Sequence, residues 1–361
     1  MDVVDKYLII MNNRFEKRVI LSQEILQKIA QIDEFRGLWK GSLRISPQTL
    51  GRLKRSVLIT STGASTRIEG SKMSDEEVAK LLRGLKSTPP KGRDAQEVAG
   101  YADLLGRIFD NWKTFKITEG QILHFHKILL NFSEKDKRHR GNYKTEDNKV
   151  VMRKEDGTEI TIFEPTKPWL TKKEMDDVLY WLSEQMKDKE THPLIFIANF
   201  IFEFLAIHPF RDGNGRLSRA LTALLLLKTG YTYVPYVSLD EIIEERKIDY
   251  YLVLRKTQSK HKTKKENIAP WLNFFLDALL EQIKRAKEIM DNDQPEKLLS
   301  EKQLTIYQLF QDDALSISDV NKKLKSSIPM ATLKQALARL VALKLIEKIG
   351  ITRGARYRKL K

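Results

Sequence analysis

The stretch "IHPFRDGNGRLSRALTALLL", residues 207–226, lies between two apolar runs: "PLIFIANFIFEFLA" comes before it, and "LLLLKTG" continues it. A turn between two helices needs one Gly or one Pro. This one carries His208, Asp212, Gly213, Asn214, Gly215, Arg216 and Arg219 as well. Pro209 cannot continue the helix before it, so His208 falls at that helix's C-terminal edge. Gly213 and Gly215 allow backbone conformations closed to other residues and let a ligand approach closely. The apolar run from Leu217 opens a second helix, whose first N–H groups are free. Free N–H groups, a positive dipole end and glycines together make an anion site. Arg216 and Arg219, three apart, sit on one side of that helix's first turn and can grip phosphate oxygens. Asp212 offers a hard oxygen suited to Mg²⁺. His208 is the nearby group able to take a proton at neutral pH. The stretch is not a P-loop, since it lacks Gly-Lys-Ser/Thr and follows a helix. Nor does it suit a zinc hydrolase, because no second His stands at ligand spacing. Against the phosphate reading stands a plain one, a Gly-rich turn with incidental charges.

"HPFRDGNGRLSR" resembles the Fic-domain motif HPFx[DE]GNGRxxR at every fixed position from His208 to Arg219. The similarity extends over roughly residues 50–285. It takes in a hairpin ahead of the motif, the surrounding helices and the pair Tyr250–Tyr251. The resemblance implies a mainly α Fic fold with a β-hairpin flap. It implies a protein adenylyltransferase that moves AMP from ATP to a Ser, Thr or Tyr hydroxyl of a target protein, or of itself, and releases pyrophosphate. On that reading His208 is the base, Asp212 holds Mg²⁺, Gly213, Asn214 and Gly215 form the anion hole, and Arg216 and Arg219 meet the phosphates. The Doc branch, which transfers phosphate, has Ala at the first Gly of the motif. Gly213 therefore favours AMP transfer.

"STRIEG", residues 65–70, would ordinarily be a helix end. Fic proteins carry an inhibitory motif [ST]xxxE[GN] on a helix before the core, and Ser65, Glu69 and Gly70 fit it. The resemblance makes Glu69 the partner of Arg219, autoinhibiting the enzyme by blocking productive ATP binding. The hairpin at 148–163, centred on "EDGT", then resembles the flap that aligns a target segment by strand addition. Tyr250, Tyr251 and Gln258 are read either as the adenine pocket or as part of an ordinary amphipathic helix. His124 and His126, two apart, are read as structural or surface residues.

Working outward, helical periodicity dominates. "LSQEILQKIAQIDEFRGLW" carries an apolar stripe from Leu21, Ile25 and Leu26 to Ile29, Ile32 and Phe35. Ser46 and Pro47 predict an N-cap and first turn, Gly70 a C-terminal cap, and Ser74 with Glu77 a capping box. Helices are predicted in "DAQEVAGYADLLGRIFDNW", "TEGQILHFHKILLNF", "TKKEMDDVLYWLSEQM" and "APWLNFFLDALLEQIKRAKEIM". The polar run "DNDQPEK", residues 291–297, reads as a linker. Beyond it, three short helices and two strands around "TRG" predict a winged helix-turn-helix. The expected domains are an N-terminal helical region at 1–95, a catalytic domain at 96–290 and a winged-helix domain at 298–361.

The chain of 361 residues has a formal net charge of +16 and no cysteine. Disulfide and thiolate-metal sites are thereby excluded, and a cytoplasmic location is expected. No apolar run reaches the roughly 18 residues of a membrane span, and the start of the chain does not read as a signal peptide. From Ser300 to Lys361 there are 13 Lys/Arg and 5 Asp/Glu, an excess of +8. That basic tail reads either as a docking domain or as a DNA-binding one. In the second reading Lys334 and Arg339 lie on the recognition helix and Arg353, Arg356 and Arg358 in the wing. The expected partners are therefore ATP and a hydroxyl-bearing target protein, with DNA and a second copy of the chain left open. Two rivals keep the same residues: a nucleotide-sensing, DNA-binding transcription regulator, and a Fic enzyme that transfers another nucleotide or phosphocholine.

Overall fold

A computed structural model describes residues 14–41, 45, 47–85, 87–148, 150–153, 159–188, 190–292, 300–310, 313–342, 345–350 and 355–360. Residues 1–39 with 53–284 make one compact unit, and residues 40–52 with 285–361 make a second.

The first unit is built around α7 (Pro193–Ile207) and α8 (Asn214–Lys228), the two helices that flank the opening stretch. Every residue of α7 from Leu194 to Ile207 is buried. A helix apolar on all sides belongs inside a protein, and α7 is sandwiched between α6 (Pro168–Asp188) and α8. Around this hairpin pack α4 (Arg93–Asn111) and α5 (Glu119–Leu129), both against α8. α5 opens at Thr118, whose hydroxyl accepts from the Gln121 N–H. α6 starts at Pro168 itself, three residues ahead of the predicted "TKKE", because Pro is preorganised for a first turn. α8 likewise starts at Asn214, ahead of its apolar run.

Upstream, α1 (Gln23–Gly41) buries Ile25, Ile29, Ile32 and Phe35. Leu21 and Leu26 leave the predicted stripe: Leu21 precedes the helix and both are about half exposed, at 48% and 47%. α2 (Pro47–Ile68) begins at the predicted proline, while Ser46 lies outside the described residues. Gly70 follows it at φ 104°, a conformation only glycine adopts easily. α3 (Asp75–Gly84) has the predicted capping box, with both the Ser74 and the Glu77 bonds in place. Strands β1 (Val150–Arg153) and β2 (Glu159–Phe163) pair antiparallel, with Val151 opposite Thr161. The "EDGT" tip lies outside the described residues. α9 (Leu239–Glu245), α10 (Lys247–Gln258) and α11 (Ala269–Asn292) complete the helices of this region. Among the described residues no helix is long and apolar enough to cross a membrane.

In the second unit, α12 (Glu301–Gln308), α13 (Ile317–Lys323) and α14 (Met330–Ala342) accompany an antiparallel sheet of order β3-β5-β4. Its strands are Leu315–Ser316, Ile346–Ile349 and Arg356–Lys359, numbered in chain order. The short β3 carries no sequence signal of its own. The predicted helix "ATLKQALARLVALKLI" ends at Ala342, and Ile346 opens β4 instead. Ile306, Val320, Leu333, Leu337, Leu340 and Ile346 form the core of this unit. Most of the linker reading and the "TRG" turn lie outside the described residues.

Two polar residues interrupt the buried α7, and both are answered from the start of the chain. Asn199 receives the Arg18 Nε–H at 2.8 Å and donates to the Phe15 carbonyl. Glu203 is ion-paired with Arg18 and with Arg14 at 3.0 Å, and His261 Nε2 lies 3.1 Å from its Oε2. Glu266 joins Arg18 at 2.8 Å. Glu203, His261 and Glu266 lie close enough together to hold a metal ion, yet the two guanidinium groups already supply the cationic charge there. Burial pushes the Glu203 carboxyl up, but Arg18, His261 and Arg14 outweigh it and hold the group well below the usual range. Removing one partner of such a buried pair leaves a charge without compensation. Glu203→Ala should therefore cost about 3–5 kcal/mol in urea unfolding; a loss under about 1 kcal/mol would contradict this network's role. Since the native carboxyl titrates below an unfolded glutamate, at about 4.3, this contribution is present above that pH. It is lost as pH falls through the native value.

Candidate functional site

The motif loop begins where α7 ends. His208 caps α7 in the left-handed conformation, at φ 50°, and its N–H donates to the Phe204 carbonyl at 2.9 Å. A non-glycine residue there is strained by about 1–3 kcal/mol and persists only where its surroundings over-determine it. The left-handed residue ends the helix, and the His208 ring hydrogen-bonds back to the Leu205 backbone. Gly213, at φ 82°, then launches α8. Asn214 ties the loop across its own turn: its Oδ1 accepts from the Phe210 N–H at 2.9 Å, and its Nδ2 donates to the Phe210 carbonyl at 2.7 Å.

Asp212 accepts from the Gly213 N–H at 2.6 Å and from Arg216 at 3.1 Å through the same oxygen, Oδ1. Its Oδ2 lies 3.8 Å from Lys135 Nζ. Burial raises the Asp212 carboxyl, but Arg216 and the Gly213 N–H outweigh it and the group stays ionised. Arg216 itself is buried, with Nη1 3.0 Å from Glu97 Oε2. Arg219 is also buried. Its Nε donates to Ser65 Oγ at 2.7 Å, and its Nη2 donates to the Ser65 carbonyl and to Glu69 Oε1, both at 2.8 Å. Behind it Asp240 lies 3.5 Å from Nε and accepts from the Tyr101 hydroxyl at 2.9 Å. Arg219 Nη1 is buried without a hydrogen-bond partner among the described residues, and the Tyr250 side chain hydrogen-bonds the same guanidinium.

Glu69 reaches Arg219 across the first turn of α8. A Cβ at position 215 would lie 2.2 Å from Glu69 Oε1, so a side chain there would displace this carboxylate from its present place. The end of α2 is fixed from outside. Arg67 makes a bidentate pair with Glu244, at 2.6 and 2.9 Å, and reaches Asp75 at 2.8 Å. Tyr251 donates to the Ile68 carbonyl at 3.3 Å. Tyr250 and Gln258 are buried, Tyr250 against Trp271 and Phe274.

The structure thus brings together His208, Asp212, Gly213, Asn214, Gly215, Arg216, Arg219, Ser65 and Glu69. Tyr251 stands at the edge, and Gly70 beside it serves the end of α2. Three further residues escape a reading of the motif alone. His126 lies under the loop, stacked on Phe210 with ring centres 3.7 Å apart. The Gly141 N–H donates to its Nδ1 at 2.9 Å, so its proton is on Nε2 and is given to the Asp212 carbonyl at 3.0 Å. Lys144 and Asn148, in "NYKTEDN", bind the loop's carbonyl groups. Their only signal was a Lys and an Asn four apart, the Asn being the first residue of the predicted hairpin.

In the second unit Lys334 is exposed on α14 and Arg339 is half-buried. Arg356 donates to the Ala314 carbonyl at 3.2 Å and Arg358 pairs with Glu347, while Arg353 lies outside the described residues. Lys322, Lys323 and Lys325 are exposed at the α13–α14 turn.

Residues 116–226 match the family model described as the Fic/DOC family. It is 31% identical to the protein adenylyltransferase Fic of Drosophila grimshawi over 98 residues, 27% of this chain and 18% of that protein. To the protein adenylyltransferase Fic of Nematostella vectensis it is 26% identical over 218 residues, 58% of this chain and 46% of that one. The chain therefore spans less than half the length of these curated relatives. Among solved structures, a Fic family protein from Desulfovibrio desulfuricans G20 superposes with a TM-score of 0.64 at 23% identity, covering 94% of this chain and 97% of that one. Fic-1 from C. elegans gives 0.59 at 20% identity, covering 74% and 73%. The fold is the Fic fold.

Burial lowers both His126 and His208 to about 4, and Lys144 pushes His208 further in the same direction. Each ring is therefore neutral at physiological pH and stays so well below the usual 6.5. NMR of ring-labelled histidine should show neither residue titrating between pH 7.5 and 5.5; a midpoint near 6.5 for His208 would contradict the geometry.

Proposed function

We propose that this protein is an adenylyltransferase that moves AMP from ATP to a Ser, Thr or Tyr hydroxyl of a target protein, and of itself, under restraint by Glu69. The observation that carries the reading is a neutral histidine, ready to accept a proton, beside a glycine-lined helix N-terminus with a buried arginine. The name borne by the curated relatives supports it. A ring nitrogen of His208 takes the proton of the target hydroxyl as that oxygen bonds to the α-phosphorus. The bond from the α-phosphorus to the bridging oxygen breaks, and pyrophosphate leaves with its electron pair. The N–H groups at the start of α8 face the negative charge that develops on the phosphoryl oxygens.

Asp212 fits a divalent cation such as Mg²⁺, because it is held ionised and, among the described residues, its Oδ2 meets no partner nearer than 3.8 Å. When bound, the cation would supply charge neutralisation on the phosphates. Arg219 Nη1 has no partner among the described residues and would meet a phosphate oxygen, while Glu69 takes its Nη2. A carboxylate and a phosphate cannot share that guanidinium and the space over Gly215 without repulsion, and this is the proposed autoinhibition.

A charged hydrogen bond contributes about 1.5–3 kcal/mol, so its removal corresponds to roughly a ten- to hundred-fold change. Glu69→Gly should raise AMP transfer from α-labelled ATP by that factor, most visibly as self-modification. Adding His208→Ala should abolish it while leaving ATP binding in place. No label on any hydroxyl acceptor with Glu69→Gly would reject the reading.

A second reading concerns residues 285–361. The exposed lysines at 322, 323, 325 and 334 line the α13–α14 turn and the exposed face of α14. They suit duplex DNA, whose phosphates release counterions on contact. Affinity for duplex DNA should then fall steeply with salt, and absence of binding at low salt would reject it.

A further inference from the structure

The four carbonyl oxygens that run through the start of the motif are all taken by two side chains and one amide from outside it. Lys144 Nζ donates to the Ile207 carbonyl at 3.0 Å, and the Lys144 backbone N–H donates to the Pro209 carbonyl at 2.9 Å. Asn148 Nδ2 donates to the His208 carbonyl at 3.3 Å and to the Phe210 carbonyl at 3.0 Å. Lys144 Nζ also donates to Asn148 Oδ1 at 2.8 Å, which fixes which way the amide points. Lys144 is buried, with 5% of its surface exposed. A buried ammonium group is costly, and it is retained here because its donors meet the carbonyls at the end of α7. None of these contacts touches the Asp212 side chain, and the Phe210 carbonyl is shared with Asn214 Nδ2 at 2.7 Å.

We propose that Lys144 and Asn148 are positioning residues that hold His208 in its left-handed conformation and key the flap to it. A helix end leaves its last carbonyls without partners, and a buried end must find them elsewhere. At α7 the partners come from the segment that becomes β1 two residues after Asn148. The backbone angle of His208, and with it the direction of its ring, is therefore set by the root of the hairpin. Movement of the hairpin on meeting a target segment would move the base with it. The N–H···O bonds to successive carbonyls make the coupling rigid in both directions, because neither side chain can shift by one carbonyl without leaving a buried acceptor unpaired.

This inference rests on the adenylyltransferase reading only for its kinetic test, so a second measurement is made without turnover. In the Glu69→Gly background, Lys144→Met and Asn148→Ala should lower kcat by about ten- to a hundred-fold, the range in which small misplacement of a catalytic group acts. The KM for ATP should stay within about twofold of the parent. Lys144→Arg, which keeps the charge and the donors, should recover most of the loss. Independently, amide hydrogen exchange over residues 207–213, followed by mass spectrometry, should accelerate in Lys144→Met and Asn148→Ala and return toward the parent in Lys144→Arg. Unchanged exchange in both variants overturns the proposal whether or not the protein transfers AMP. So does a kcat equal to the parent's, or a loss of kcat matched by an equal loss of ATP affinity. If the Glu69→Gly parent shows no transfer, the adenylyltransferase reading fails and the exchange result alone decides the clamp.

Discussion

α7 ends inside the protein. A helix that stops at the surface can leave its last carbonyls to water, but α7 is buried from Leu194 to Ile207 and has no such outlet. The chain meets this constraint with a strained residue, a proline and a set of donors brought from elsewhere. His208 is the residue that takes the strain. Its ring is desolvated by the same packing, which keeps it unprotonated at neutral pH. The left-handed residue and its desolvated ring thus follow from ending one apolar helix within the core.

The second layer of the site is electrostatic. α8 carries two buried arginines in its first turns, and each is answered by carboxylates from different helices. Arg216 faces Glu97 on α4 and Asp212 in the loop; Arg219 faces Asp240 on α9 and Glu69 after α2. Desolvation raises Asp240, with Arg219 working against it. Glu69 differs from the other three. Its side chain is 31% exposed, against 9% for Asp240 and 7% for Glu97. Asp212 is comparably exposed, at 28%, but is fastened by the adjacent N–H. Glu69 is the member of the set that solvent can most readily replace.

Much of this was legible in the sequence, for identifiable reasons. Twelve residues from His208 to Arg219 carry glycines, a proline and charges at spacings that admit few conformations. Helix ends were readable wherever a cap or a proline fixed them, as at Pro47 and Ser74. Periodicity alone was less reliable: Leu26 fits the stripe of α1 but faces solvent, and "ATLKQALARLVALKLI" reads as one helix though Ile346 belongs to a strand. The supporting residues were hidden because their partners are backbone atoms. Lys144 and Asn148 bind carbonyl groups, which have no side-chain identity to pair with in a sequence. His126 is similar, since it touches the Asp212 carbonyl and the Gly141 amide.

The span recognisable by kinship and the span that can fold are different lengths. The family match opens at residue 116, within the first unit. Yet Glu203, at the middle of its central helix, is neutralised by Arg14 and Arg18, and Asn199 is satisfied by Arg18 and the Phe15 carbonyl. Those partners lie about a hundred residues before the match begins. A polypeptide cut to the matched segment would hold the whole motif and still place an uncompensated carboxylate in its hydrophobic centre. Excision at the boundary of recognition would therefore remove part of the core.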